Sequence, residues 1–382
     1  MTATPLEEIK SYLDHRDYVL VIRRLLDFSL DTNEPDIIRE SINLSKAFRS
    51  AGMFDGNPFL NPELEAATNL LLSRLVAKAE AKPLHTGILV HAHGISKRYN
   101  RGNFSLKPLN LDIHCGQIIG VVGENGNGKT TLLRCLAGQL SADQGTIQYA
   151  LLSDPDQYAV KNHVVFIPQR IPRWFGQLKD NLHFSAALVG ITGLWNDLLV
   201  DFMLERFGLT QFAHLNWNQI SSGYRTRFEI ARILLKRPKV LILDEPLANL
   251  DINAQQTLLT DLKFLTKSSF NPMGVILTSQ QLHEVEKIAD NVLLIRDGNC
   301  VYRTGDEIQQ ALGYAFEIEI SNERDALIHA LNGFHYQLSF NGGNYTITSQ
   351  HHQVPELLKA LINNGVHIRY YRDITTSTKR LF

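Results

Sequence analysis

The stretch GENGNGKTT, residues 123–131, restricts this chain more than any other. It fits the spacing G-x-x-x-x-G-K-[ST], with Gly123, Gly128, Lys129 and Thr130 in the fixed places. Before it, QIIGVV is a short apolar run that reads as a buried strand; after it, TLLRCLAGQL repeats Leu132, Leu133, Leu136 and Leu140 at helical spacing. Strand, glycine-rich turn and helix together predict a phosphate-binding loop. Glycines let the backbone curl, so that successive N–H groups through Glu124, Asn125, Gly126 and Asn127, and the helix start at Lys129, Thr130 and Thr131, point at a polyphosphate. Lys129 adds a point charge at the β/γ-phosphates, and the Thr130 hydroxyl is placed to ligate Mg²⁺.

A chain of 382 residues has room for two or three domains. A net charge of −1 with 20% charged residues gives no global pull toward nucleic acid or an anionic membrane, so no nucleic-acid partner is expected. No apolar run reaches the roughly 18 residues of a membrane-spanning helix, and MTATPLEEIK lacks a signal-peptide core. Cys115, Cys135 and Cys300 are scattered without C-x-x-C pairing, as in a reducing cytosol. The pairs His91/His93 and His351/His352 have no third ligand at zinc spacing and read as solvated strand residues.

Residues 1–82 carry helical periodicity only. Thr4-Pro5-Leu6-Glu7 is a capping box. A second helix is expected over 14–30, with Tyr18, Ile22, Leu25 and Leu26 on one face; a third opens at Pro35 and stops at Gly52. Asn61-Pro62 opens a fourth, with Leu64, Ala67, Leu71 and Leu75 as its stripe. Such a bundle serves either as a protein-contact module or as a brace on the next domain. After Lys82-Pro83 the pattern turns to strands alternating with helices, over 87–305. Within it, residues 177–219 form an insert of helical period carrying Leu182, Phe184, Leu188, Leu198, Leu199, Phe202 and Leu204. From 313 to 382 the order β-α-β-β-α-β predicts a ferredoxin-like α+β domain, with a tight turn at Gly342-Gly343-Asn344.

KVLILDEP (239–246) is an apolar strand ending in two carboxylates. Beside a phosphate loop, Asp244 is suited to hold Mg²⁺ and Glu245 to polarise the water attacking the γ-phosphate. Upstream, ISSGY (220–224) begins the helix YRTRFEIARILL, offering hydroxyls and free N–H groups to an anion. With these residues the chain resembles the ATP-binding-cassette (ABC) ATPases, closest to the single-cassette ATPases of ABC-2 type exporters. Ser221, Ser222 and Gly223 match the LSGGQ signature, which in the family faces the nucleotide bound by the other subunit. Tyr99 matches the adenine-stacking aromatic, Gln169 the Q-loop glutamine that senses Mg²⁺ and attacking water, and Asp251 of ANLD the D-loop acid. The small C-terminal α/β domain ending in TSTKRLF also fits; the N-terminal helices lie outside the usual pattern.

The resemblance implies an α/β P-loop nucleotide-binding domain with an inserted helical subdomain. It implies an ATPase using ATP and Mg²⁺ that dimerises with itself or a paired ABC subunit. It also implies a separate membrane permease, with the chain cytoplasmic and peripheral on the inner face of the membrane and export as the direction. The rival reading is a soluble ABC ATPase acting on a macromolecular assembly; the doubled cassettes, coiled-coil insertions or zinc cysteines usual there are not found in this sequence. A plain P-loop kinase or GTPase does not account for ISSGY and ANLD. One departure stands out: the switch histidine of the family is replaced by Gln280, and His283 falls too far into the following helix to take its place.

Overall fold

The computed structural model describes residues 5–55, 61–79, 87–99, 104–150, 152, 157–248, 250–268, 272–280, 282–304 and 313–375. Its centre is β3 (Ile118–Val122), every residue of which is buried. Around it a six-stranded sheet runs in the order β5-β6-β7-β3-β8-β9, formed by β5 (Val164–Ile167), β6 (Val240–Leu243), β7 (Gly274–Ser279), β8 (Asn291–Arg296) and β9 (Asn299–Arg303). All its pairings are parallel except β8–β9, which is antiparallel. A parallel sheet is covered on both faces, so β6 reads as the unbroken apolar run VLIL, and β7, GVILTS, is buried along its whole length.

The two faces alternate along each strand and feed two cores. Ile119 and Val121 of β3, with Ile242 and Ile276, pack under a second sheet ordered β2-β1-β4. That sheet is built from β1 (Ile88–Arg98), β2 (Ser105–His114) and β4 (Gln144–Tyr149), all antiparallel. Pro108 lies in β2, an edge strand of this sheet, where a missing N–H is tolerated. On the opposite face, Ile118, Val122, Leu241, Leu277 and their neighbours join one continuous core with the helical insert and the N-terminal helices.

The insert consists of α7 (Leu178–Leu188) and α8 (Gly193–Arg206), followed by α9 (Ser222–Leu234), which leads into β6. Its apolar stripe divides: Leu182, Leu199, Phe202 and Leu204 are buried, whereas Phe184, Leu188 and also Leu194 and Phe175 stand exposed. Two elements escaped the sequence pattern: α6 (Gln157–His163) and the edge strand β9. β9, NCVYR, has no alternation of polar and apolar residues and is held by its pairing to β8 and by the Lys107 N–H donating to the Gly298 carbonyl.

Four helices precede the two sheets: α1 (Pro5–Asp14), α2 (Tyr18–Thr32), α3 (Pro35–Ser50) and α4 (Pro62–Ala79). The second starts later than expected because Asp14 ends α1 and Asp17 is the N-cap, accepting from the Leu20 N–H at 3.1 Å. In α4, Thr68 rather than Ala67 faces inward beside Leu71 and Leu75. The proposed capping box at Thr4 lies outside the described residues.

These helices are joined to α8 and the helices that follow it by buried charge. The Arg206 guanidinium at the end of α8 donates to both Asp27 oxygens of α2, at 2.6 and 3.0 Å, and to Asp261 of α10 (Ile252–Thr266) at 2.8 Å. Burial opposes its charge, but Asp27 and Asp261 outweigh that and hold its pKa above the ordinary arginine value. Arg24 of α2, 1% exposed, donates to the Phe264 and Lys267 carbonyls at the end of α10, at 3.2 and 3.4 Å, and to Glu8 at 3.0 Å. It thereby satisfies carbonyls that a helix end leaves open, with a cation at the negative end of the dipole. Glu205 accepts from Ser45 at 2.7 Å, Thr210 at 3.0 Å and Arg49. The helices therefore grip the insert and α10 together, which is the geometry of a brace.

The C-terminal segment has its own core, with Phe316, Ile318, Ile347, Leu357 and Leu361. Strands β10 (Tyr314–Ile320), β11 (Gln337–Asn341), β12 (Asn344–Ser349) and β13 (Ile368–Asp373) pair antiparallel in the order β11-β12-β10-β13, with helices α12 (Arg324–Ala330) and α13 (Val354–Asn363). Between β11 and β12, Gly342 and Gly343 have φ of 58° and 92°, the two positive values that a two-residue hairpin turn requires. The tail TSTKRLF lies outside the described residues.

Removing one member of the Arg206 node leaves a buried charge without its counter-ion. Asp27→Ala is expected to cost about 3–5 kcal/mol, read as a lower urea midpoint of the cassette. An unchanged midpoint would show that the brace does not depend on this node. Asp31 provides a pH test. Desolvation by burial pushes its carboxyl from 3.8 up to about 7, against the lowering hydrogen bond from Ser268. Since the folded value is the higher, its stabilising contribution is complete below the unfolded value and is lost as pH rises toward 7. The melting temperature of Asp31→Asn relative to wild type should therefore climb across that window. A difference independent of pH would refute the shift.

Candidate nucleotide site

The site begins where β3 ends. Gly123 has φ +153°, and a Cβ there would lie 2.3 Å from the Ile295 carbonyl oxygen of β8. Gly128, at φ +101°, precedes α5 (Lys129–Leu136), and its Cβ would lie 2.5 Å from the Phe104 ring. The loop thus turns against a neighbouring strand on one side and an aromatic ring on the other, and only glycine fits both places. It is tied down at two further points. The Asn127 side chain accepts from the Asp297 N–H at 3.1 Å, and Asn125 accepts from the Gln280 amide at 2.9 Å.

Inside this loop the Lys129 side chain is 5% exposed. Its ammonium donates to the carbonyls of Gly123 and Glu124, at 2.7 and 3.1 Å, and lies 3.1 Å from Glu245 Oε1. Thr130 donates to Asp244 Oδ2 at 2.8 Å. Asp244 follows β6 and is held in line by its N–H bond to the Ile167 carbonyl of β5, at 2.9 Å. Glu245 adopts φ 48°, a left-handed conformation that costs a non-glycine residue roughly 1–3 kcal/mol and persists where the surroundings impose it. The exposed Thr130 hydroxyl and the buried Asp244 carboxylate, within hydrogen-bond distance, are hard oxygen donors of the kind Mg²⁺ takes, so this pair fits the metal.

Thr130, Thr131, Gln169, Glu245 and the loop residues Glu124, Asn125, Gly126 and Gly128 line one open depression of about 170 Å³, together with Phe104. A larger cleft of about 890 Å³ on the C-terminal sheet contains none of these residues, so size is no guide to the site. Tyr99 stands at the edge, its hydroxyl 3.2 Å from Thr131 Oγ1 and its ring 6.4 Å from Phe104.

The signature is not brought to this loop. Ser221 caps α9, its hydroxyl accepting from the Tyr224 N–H at 3.4 Å, and both Ser221 and Ser222 are exposed. Gly223 faces Ala254 and Leu250. Asp251 caps α10 by accepting from the Ala254 N–H at 2.9 Å, while Asn249 lies outside the described residues. Signature and D-loop acid therefore form two adjacent capped helix starts, apart from the depression. Phe104 and Thr278 are the site neighbours that the sequence did not single out. Nothing local marks Phe104, and Thr278 sits inside an apolar strand.

A strand-loop-helix phosphate cradle, a buried lysine and paired carboxylates on a parallel sheet define a P-loop nucleotide-binding protein. Residues 106–248 match the ABC transporter family profile. The uncharacterized ABC transporter ATP-binding protein YdbJ of Bacillus subtilis (strain 168) is 28% identical over 302 residues, covering 77% of this chain and 94% of that one. The sulfate/thiosulfate import ATP-binding protein CysA of Mesostigma viride is 32% identical over 250 residues, covering 60% of this chain and 68% of that one. Among solved structures, an ATP-binding subunit of an ABC transporter superposes with a TM-score of 0.50 at 21% identity, over 58% of this chain and 92% of that one. A dimeric ATP-binding cassette bound to ADP and Pi does so with a TM-score of 0.50 at 21% identity, over 56% and 97%. At that identity the structures speak for the fold. The chain belongs to the ABC transporter ATP-binding family, whose domain binds ATP and hydrolyses it.

Gln280 donates to the loop through an amide that is neutral at every pH. If that amide also serves the reaction, Gln280→Ala lowers kcat by on the order of 10². The wild-type rate should lack a limb near the histidine pKa, about 6.5, and Gln280→His should introduce one. An alanine variant as fast as wild type removes Gln280 from the reaction.

Proposed function

We propose that this chain is the ATP-hydrolysing subunit of an ABC exporter, working as a dimer around two ATP molecules on a separate membrane permease. The observation carrying the dimer is the separation of parts. The phosphate loop has its lysine and carboxylates but no signature residue, whereas Ser221, Ser222 and Gly223 present an exposed helix start elsewhere on the same chain. A second copy supplies the missing half, and Asp251 beside Gly223 belongs to the same contact.

Lys129 and the loop N–H groups bind the phosphates, and Tyr99 takes the adenine. Thr130 and Asp244 hold Mg²⁺, with Gln169 at its side; the ion supplies neutralisation of phosphate charge. Glu245 orients the attacking water, and its present contact with Lys129 keeps its carboxylate at the phosphate end of the loop. Positioning and charge carry nearly all of phosphoryl transfer, and these residues supply both.

No helix among the described residues is long and apolar enough to cross a membrane, so a permease enters as a partner chain. The exposed Phe184, Leu188 and Leu194 of the helical insert, with Phe175 just before it, suit such a contact. It would hold the chain on the cytoplasmic face. The export direction is supported by the serine-serine-glycine signature together with the small C-terminal α+β domain; relatives named for import share the cassette.

The test uses Glu245→Gln, which keeps the site's shape and removes the base. With Mg-ATP its mass in light-scattering chromatography should double, and adding Ser221→Arg should abolish the doubling. A variant that stays monomeric at high concentration, or a dimer indifferent to Ser221→Arg, would count against the shared site.

A further inference from the structure

We propose that Thr278 is a positioning residue for hydrolysis, whose one hydroxyl holds both carboxylate residues of the site. Its side chain is fully buried in β7, where β6 and β7 run parallel with Leu243 opposite Leu277, so Thr278 lies beside the end of β6. Thr278 Oγ1 donates to Asp244 Oδ1 at 2.8 Å and accepts from the Glu245 N–H at 2.7 Å.

A hydroxyl has one proton, so giving it to Asp244 leaves lone pairs free for the Glu245 N–H. The two bonds are therefore compatible and mutually orienting. With Thr130 on Oδ2, the Asp244 carboxylate is gripped at both oxygens and cannot rotate. The bond from the Glu245 N–H fixes the peptide whose left-handed φ of 48° swings the Glu245 carboxylate toward Lys129. Within GVILTS, valine would match threonine in shape and strand preference without a polar atom to bury. The hydroxyl is thus placed for its two bonds and not for packing.

The inference rests on the reading of Asp244 and Glu245 as metal-side and base carboxylates, and the experiment separates the two. Thr278→Val, Thr278→Ser and Glu245→Gln are compared with wild type in the full chain. Readouts are kcat, nucleotide affinity without divalent metal, and Mn²⁺ affinity of the nucleotide complex from the EPR signal of free Mn²⁺. Orienting partners of metal-site ligands are typically worth about 10–100-fold, so Thr278→Val should lose that much in kcat and in Mn²⁺ affinity. Its metal-free nucleotide affinity should be unchanged, because Lys129 and the loop are untouched. Thr278→Ser should recover both losses. The proposal falls if the valine variant matches wild type in turnover and Mn²⁺ affinity, or if serine is as deficient as valine. Should valine not fold, Thr278→Ala replaces it. If neither folds, the hydroxyl serves the core and the proposal also falls. A Glu245→Gln variant hydrolysing at the wild-type rate would instead overturn the reading of the carboxylates.

Discussion

The carboxylate of Asp244 is the point on which the site converges. Thr130 reaches it from the first turn of α5 and Thr278 from β7, while its own backbone is tied to β5. Three elements distant in sequence are thereby registered to one another at the edge of a parallel sheet. A buried ionised oxygen is costly unless bonded, so this arrangement tolerates little displacement of any one of them. The phosphate loop inherits its position from that constraint, because α5 cannot shift without losing the Thr130 bond. Glu245 inherits its unusual backbone from it as well.

A second constraint acts on the far side of the sheet. The N-terminal helices share a core with the insert and with one face of the central sheet, and the Arg206 node joins α2, α8 and α10 at a single guanidinium. Helix α9, carrying the signature at its start, packs in the same layer. The helices contribute no residue to the signature or to the phosphate loop; their joint is to α8 and α10. A contact module held by a few surface residues would leave its interior charges at home. Here they are spent across the joint, and Arg24 even closes the end of a cassette helix.

The parts of this protein legible in its sequence are those whose physics is local. A loop that must curl around phosphate needs glycine at set spacing, an apolar strand before it and a helix after it. A hairpin needs two residues able to adopt positive φ, and Gly342 and Gly343 are such a pair. The alternation of strands and helices, the ferredoxin-like order of the C-terminal segment and the carboxylates after VLIL follow from the same short-range rules. Helix starts were less sharp. The second helix was expected from residue 14, and only the packed structure shows that Asp14 ends α1 while Asp17 caps α2.

What tertiary structure alone decided are pairings between residues far apart that look ordinary in isolation. Asp27, Arg206 and Asp261 lie on three separate helices; burial turns them into a joint, because a charge removed from water must find its counter-ion wherever the fold brings one. Thr278 reads as one more β-branched residue in an apolar strand, and becomes distinctive only when β6 is laid beside it. Phe184 and Leu188, four residues apart, form a stripe of their own on the side of α7 opposite the buried Leu178, Leu182 and Ala186, and face solvent, since a local apolar pattern does not say which of two faces will be covered. The sequence by itself determined that this chain builds a phosphate cradle and a signature helix. That the two stand apart on one chain, with a buried threonine bonded beside the cradle and four added helices joined to α8 and α10, was settled by long-range packing, where a residue's role is set by neighbours that its own surroundings in sequence do not contain.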